Sequence, residues 1–181
     1  TGRTMSGTGS IASVEPLWYF AYGSNMSVRR MTARIPSAEA VGIACLPQHR
    51  LAFHKIGRDG SGKCDITPCG SAAVHGVIYR MAGRHKPLLD ACEDLGRGYL
   101  DKRLTVSASD GSSVQVFTYV ALQRDASLRP FDWYLRHLIE GAEEHCLPRP
   151  YRDRLAATES IDDPDRERSA RELSIYAFGS T

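Results

Sequence analysis

The residues best suited to chemistry fall in two short stretches. One is Asp90-Ala91-Cys92-Glu93-Asp94, inside a segment of helical spacing. Glu93 follows Leu89 by four residues, so both share one side of that helix, flanking an apolar stripe at Leu88, Cys92 and Leu95. A carboxylate pressed toward apolar surroundings has its pKa raised, which suits it to moving protons near neutral pH. The same residues also fit an ordinary solvated helix face. The other stretch is Tyr22-Gly23-Ser24-Asn25, where an aromatic run stops at small and Asx residues ahead of a helix. Such a turn presents successive backbone N–H groups outward, a general way to bind an anion or an oxyanion. Many turns share that pattern, so alone it specifies little.

Other motifs fit specific chemistries less well. Gly57-Arg58-Asp59-Gly60-Ser61-Gly62-Lys63-Cys64 nearly spells a phosphate-binding loop. That motif needs a Ser or Thr hydroxyl for Mg²⁺ and a helix to follow. Here Cys64 replaces the hydroxyl and Pro68 follows, so the stretch reads as a connecting loop. His49 and His54, and His145 beside Cys146, give no three ligands at zinc spacing, so no metal is expected. Ser24 sits between a strand and a helix as a nucleophile-elbow serine does. Tyr22 and Met26, however, occupy the glycine positions of G-x-S-x-G.

The elements that must position these groups follow from pattern. Leu17–Tyr22 reads as a strand, and Ser27 caps a helix carrying Arg29, Arg30, Met31 and Arg34 that stops at Pro36. Val41–Cys45 and Arg50–His54 read as two strands, with Gly57–Gly62 an exposed loop after them. Ala72–Met81 alternates as a strand, with Val74, Gly76, Ile78 and Arg80 on one face. A helix opens near Pro87 and closes at Gly96. Leu104–Ser107 and Val114–Leu122 form a hairpin through Asp110-Gly111. Phe131–Cys146 is a helix with Tyr134, Leu138 and Ala142 along its apolar stripe, and a short helix spans Tyr151–Thr158. Clustered strands point to an α+β fold rather than a doubly wound sheet.

Residues 1–16 read as a disordered lead or tag remnant, 17–160 as one domain, and 161–181 as a charged, solvated tail. At 181 residues, 42% hydrophobic and 24% charged, the chain has the composition of a globular domain able to bury a sizeable core. Lys and Arg total 23 against 21 Asp and Glu, a net charge of +2 that gives no basic excess for nucleic acid. Arg29, Arg30 and Arg34 are the nearest thing to a cluster, and one amphipathic helix accounts for them. Five cysteines without a Cys-x-x-Cys pair argue against a disulfide framework. No apolar run has the length of a membrane span. A reduced, cytoplasmic monomer or homodimer without cofactor is the expectation.

Taken together, the two stretches carry a resemblance. Tyr19-Phe20-Ala21-Tyr22-Gly23-Ser24-Asn25-Met26 resembles the opening signature Y-F-A-Y-G-S-N of the γ-glutamylcyclotransferase (AIG2-like) family. In the same order, Val74–Tyr79 is similar to the family's V-x-G-V-[VL]-[YW] strand. Leu89–Glu93 is similar to its L-D-x-x-E helix, and Gly98-Tyr99 to the Gly and Tyr that follow. Phe131–Tyr151 resembles its late helix with an L-P-x-x-Y exit. These blocks span roughly Tyr19 to Leu155.

The resemblance implies a small mixed β-barrel with flanking helices. It also implies a reaction in which a γ-glutamyl compound releases its amine while the glutamyl group closes to 5-oxoproline. The substrate's own α-amine is the nucleophile, so no cofactor is required. By position, Glu93 would be the catalytic acid/base. The segment Tyr19, Phe20, Ala21, Tyr22, Gly23, Ser24 and Asn25 would bind the glutamyl moiety, with the Gly23 and Ser24 N–H groups at the oxyanion. Tyr134 would close the pocket on the substrate carboxylate and Tyr99 would line it. Cys92 stands where many members have Gln or Glu, and Asp94 where Gly is frequent; Asp94, if close, would raise the Glu93 pKa further. Asn25 departs from the Y-G-S-L of the glutathione-specific branch. The implied substrate is a small γ-glutamyl amino acid or amine, or a γ-glutamyl protecting group on a biosynthetic intermediate. The same pocket would also serve a non-catalytic ligand-binding module.

Overall fold

The structure, a computed structural model, describes residues 15–177, so most of the expected lead lies outside the described residues. Five strands close into a barrel: β1 (Pro16–Ala21), β2 (Glu39–Ile56), β3 (Gly62–Ala82), β4 (Tyr99–Ala108) and β5 (Ser113–Ala121). Their order around the barrel is β1-β3-β2-β4-β5. All neighbours are antiparallel except at the seam, where β1 meets β5 in parallel at Tyr19 and Phe117. Around it pack α1 (Val28–Arg34), α2 (Lys86–Cys92), α3 (Asp132–Glu144), α4 (Arg149–Ala156) and α5 (Arg166–Leu173). The α+β mixed barrel with flanking helices is as expected.

The two short strands expected at Val41–Cys45 and Arg50–His54 are one long strand, β2. Register shifts at Pro47/His49 and Ala52/Lys55 absorb the interruption, and Gln48 adopts a left-handed φ of 58°. Pro47 has no N–H for the ladder, and a bulge is the usual way to carry such a residue through a sheet. With β3 this strand makes a long, curled hairpin. Its tip, Gly57–Gly62, is not the exposed loop expected: Gly57, Ser61 and Gly62 are buried. The Asp110-Gly111 hairpin forms as read, with Gly111 at φ 83°. Ser27 caps α1 by accepting the Arg30 N–H.

On α2 the expected stripe is rotated. Leu88, Cys92 and Leu95 are exposed, whereas Leu89 is fully buried. The helix is short, and its single core anchor brings Glu93, one turn on, toward the barrel rather than the solvent.

The charged tail also folds back. Phe131 and Ile161 form a backbone bridge, Asp132 N–H donating to Ile161 O and Ile161 N–H to Pro130 O, both at 3.0 Å, and buried Asp163 accepts from Trp133 Nε1 at 2.7 Å. Asp165 then caps α5. Asp163, Arg168 and Glu172 thus turn to the domain, while Asp162, Arg166, Glu167 and Arg171 stay exposed as expected. All five cysteines are free, and no helix among the described residues is long and apolar enough to cross a membrane.

Helix α3 lies directly on the turn after β1. A Cβ added at Gly141 would stand 2.6 Å from the Met26 carbonyl carbon and the Ser27 nitrogen. Gly141→Ala should therefore destabilise the fold by about 1–3 kcal/mol, read from the urea midpoint. Gly70→Ala, whose added Cβ meets nothing within 4 Å, should stay within about 0.5 kcal/mol of wild type.

Candidate active site

Two elements far apart in sequence meet at one end of the barrel. After β1 the chain leaves the sheet at Tyr22-Gly23 and tightens into a 3₁₀ turn over Ser24–Met26. The N–H groups of Gly23, Ser24 and Asn25 donate to no other backbone group among the described residues. Gly23 lies hard against the opposite wall: a Cβ there would stand 3.2 Å from Cys64 Cβ and 3.4 Å from Tyr134 Oη. Glu93 caps the C-terminus of α2, its own N–H bonded to Leu89 O, and Asp94 turns the chain away at φ 53°.

The Glu93 carboxylate is held through one oxygen. Oε1 accepts from Asn25 Nδ2 at 3.0 Å and from Arg34 Nη1 at 3.4 Å. Asn25 is itself fixed, its Oδ1 accepting from Arg34 at 3.1 Å and its Nδ2 also reaching Tyr19 Oη at 3.2 Å. Oε2 takes no hydrogen bond from a described residue. The surroundings are thus polar and specific rather than the apolar patch expected of the helix face. Asp94 is turned to another partner, with Arg58 Nη2 at 2.6 Å, and that guanidinium holds its carboxyl below the usual range.

Glu93 forms part of a small inner cavity of about 30 Å³, with Tyr19, Tyr22, Gly23, Ser24, Asn25, Tyr99 and Tyr134. Those seven and Glu93 are brought together as the sequence implied. Phe20 and Ala21 are not. Strand alternation turns the Phe20 ring into the core, Ala21 is wholly covered, and neither lines the cavity. Cys64 and Tyr119 complete the wall. Cys64 joins two of the tyrosines: Tyr134 Oη accepts its N–H at 3.0 Å, and Tyr99 donates to its carbonyl at 2.7 Å. Tyr22 donates to the Tyr119 carbonyl. Burial pushes the Tyr19, Tyr99 and Tyr134 phenols well above their ordinary range, so they remain neutral donors.

Candidate protein nucleophiles are disarmed. Burial pushes the Cys64 thiol up to about 12, and Ser24 Oγ is occupied by Arg30 Nε at 3.1 Å. The near phosphate loop is ruled out by geometry. It is followed by a strand, its Gly57 N–H closes onto Ser61 O at 2.9 Å, and Lys63 is committed to Asp59 at 2.9 Å. Among the described residues, no three His, Cys, Asp or Glu side chains are grouped to hold a metal.

The inner cavity shares Ser24, Glu93, Tyr99 and Tyr134 with a wider one of about 380 Å³; the Gly57–Asp59 loop on its wall was a legible candidate for the amine side, whereas sequence reasoning missed most of its cations. Arg30 and Arg34, read as one face of an amphipathic helix, both point into it. Their four-residue spacing just after the Ser27 cap was the available signal. Lys55 and Lys63 arrive from the long hairpin, Trp133 from α3, and Arg168 with Glu172 from α5. Most charges here are paired: Arg30 with Glu172 at 2.6 Å, Arg34 with Glu93, Arg58 with Asp94, Lys63 with Asp59, and Arg168 with Asp163 at 2.6 Å.

Comparison with known proteins decides the family. Residues 73–155 match the AIG2-like family. The chain is 30% identical over 158 residues to the γ-glutamylcyclotransferase of Bos taurus, covering 82% of this chain and 81% of that one. The chain belongs to the γ-glutamylcyclotransferase family. A solved γ-glutamyl cyclotransferase shares the fold with a TM-score of 0.82 at 25% identity, covering 88% of this chain and 99% of that chain. A crystal structure of an uncharacterized Homo sapiens protein gives 0.77 at 28% identity, covering 82% and 90%. Family membership makes this protein a cyclotransferase enzyme.

In this cyclotransferase, α5 is fastened over the outer cavity through Glu172. The His137 imidazole, 3.5 Å away, and the Arg30 guanidinium hold its carboxyl down to about 2. Because the folded carboxyl is more acidic than the unfolded one near 4.5, the unfolded chain binds the proton first. The stability from this contact is therefore present above about pH 4.5 and lost as pH falls toward 2. The gap in urea midpoint between wild type and Glu172→Gln should narrow steadily as the pH is lowered from about 6 to about 3.

Proposed function

We propose that the chain converts a γ-glutamyl amide to 5-oxoproline and the free amine, with Glu93 as general acid and base. The observation that carries this reading is the Glu93 carboxylate itself. One oxygen is fixed by Asn25 and Arg34 and the other takes no hydrogen bond from a described residue, in a side chain that lines a tyrosine-walled cavity bordered by backbone N–H groups without backbone acceptors.

In this reading the reacting end of the glutamyl half sits at the inner cavity, which takes only part of it, and the remainder lies in the wider cavity alongside. Glu93 takes a proton from the α-ammonium, whose pKa is about 8. The freed amine attacks the γ-carbonyl and closes a five-membered ring. The oxygen that becomes negative is met by N–H groups of the Gly23–Ser24 turn, which are aligned before the reaction begins. Protonated Glu93 then delivers its proton to the departing nitrogen and the γ C–N bond breaks; the regenerated carboxylate takes the second proton from the ring nitrogen and passes it to the amine, which leaves as its ammonium, so Glu93 ends ionised. Tyr134, whose oxygen accepts the Cys64 N–H, would turn its own O–H to the glutamyl carboxylate.

Holding the chain folded supplies much of the rate, since well-oriented intramolecular attack reaches effective molarities on the order of 10⁵–10⁸ M. That agrees with a site where Cys64 is neutral and Ser24 is engaged. The substrate class is a γ-glutamyl amino acid or amine.

Glu93→Gln keeps an acceptor for Asn25 but cannot take a proton. It should lower 5-oxoproline release, measured by mass spectrometry, by about 10²- to 10⁴-fold while the unfolding midpoint stays close to wild type. Full activity in that variant would sink the role given to Glu93. An N-acetylated γ-glutamyl substrate lacks the nucleophile and should be inert; its turnover would indicate ordinary amide hydrolysis instead.

A further inference from the structure

Lys55 is the exception among the cations of the outer cavity. It is 7% exposed, lines that cavity, and has no ion-pair partner among the described residues, whereas the other basic side chains there are each matched to a carboxylate. Its neighbours make the position costly. Lys55 lies directly opposite Lys63 in the β2–β3 register, and like charges at facing positions repel. Lys63 relieves its charge on Asp59, whereas Lys55 lies over the face of Tyr99, 4.7 Å from Nζ to the ring centroid, and feels the Glu93 and Asp94 carboxylates only from beyond ion-pair distance. Burial lowers its pKa, the mark of an ammonium short of compensation.

The backbone makes room for this group. A Cβ at Gly98 would stand 2.9 Å from Lys55 Nζ, so the glycine before Tyr99 lets the ammonium sit where it does. Tyr99 belongs to the walls of both cavities, whereas Lys55 lines only the outer one. The ammonium thus stands just beyond the inner cavity, on the side where the departing amine would lie.

We infer that Lys55 is a specificity-determining residue: its ammonium binds a carboxylate carried by the amine half of the substrate. The inference rests on the cyclisation reading above and narrows it to γ-glutamyl derivatives of amino acids over those of simple amines. A carboxylate at this point completes the one unmatched charge of the cavity, and an ammonium–carboxylate contact out of water is worth more than one at the surface.

The test uses a matched pair of substrates, γ-glutamyl-L-alanine and γ-glutamyl-ethylamine, which differ by the amine-side carboxylate and share the glutamyl one. Wild type should favour the alanine compound in kcat/KM by about tenfold or more, the order expected of one charge-assisted hydrogen bond. Lys55→Met should bring the ratio of the two near one, chiefly through KM for the alanine compound, and Lys55→Arg should keep most of the preference. Equal losses on both substrates would overturn the inference and assign Lys55 to the glutamyl carboxylate or to the fold. Absence of any preference in wild type would overturn it as well.

If wild type releases 5-oxoproline from neither compound, the cyclisation reading fails, and the subsite is then decided by binding. In protein carrying ¹³Cε-lysine, the Lys55 resonance, assigned by its absence in Lys55→Met, should shift saturably with propionate. A resonance that does not move would remove the subsite.

Discussion

The site depends on the hydrogen-bonded joint between Asn25, Glu93 and Arg34. It ties the turn that follows β1 to the end of α2, 68 residues further along the chain. Each of these elements is too short to hold a precise geometry alone. The 3₁₀ turn has three residues and α2 has seven, and isolated helices of that length do not persist in water. The joint makes each the support of the other. Asn25 is fully used, donating to Glu93 and Tyr19 while accepting from Arg34, so its orientation is set by three partners at once. A leucine here would leave the carboxylate without its neutral donor and the Tyr19 hydroxyl without its partner.

The barrel is what brings those short elements within reach. Closing β1 onto β5 in parallel while β1 pairs β3 antiparallel leaves no free edge beside the turn. Close approaches then fix its depth: α3 touches it at Gly141, and the hairpin wall touches it at Gly23. Buried tyrosines do the remaining positioning with backbone partners, as at Cys64 and at the Tyr119 carbonyl. Side-chain hydroxyls bonded to strand backbone have little freedom to drift, and that rigidity is what preorganised catalysis requires.

How much of this was legible follows from the range of the interactions. Features made by neighbours in sequence were readable: the Ser27 cap, the Asp110-Gly111 turn, the strand ending in Gly23-Ser24-Asn25, and the spacing that joins Leu89 to Glu93. Which side of α2 faces inward was not, because one buried leucine outweighed three exposed apolar residues, and only the barrel surface decides between them. Phe20 and Ala21 were carried into the site by belonging to a motif, although strand alternation already directs Phe20 to the other face. The tail read as solvated because mixed charge has no periodicity to betray a partner; its contacts are with Trp133, Arg30 and His137, all distant in sequence. Lys55 was hidden for the same reason, since nothing local distinguishes a lysine aimed inward from one on a surface strand.

The division between the two cavities follows from which groups build them. The inner one is made of backbone N–H groups, phenols and a single carboxylate, with positions set by strands and by one turn. The outer one is made of long, flexible cations from three separate elements, α1, the β2–β3 hairpin and α5, with Trp133 of α3 beside them. A change in the outer wall costs a local ion pair and leaves the Asn25–Glu93–Arg34 joint in place, unless Arg34 itself is altered. Arg34 is the hinge of this arrangement, because it lines the outer cavity while fixing the inner carboxylate. The near-zero net charge of the chain is consistent with such a wall. Pairing cancels nearly all of the charge of its cations, and Lys55 is left as the one whose ion-pair partner the described residues do not provide.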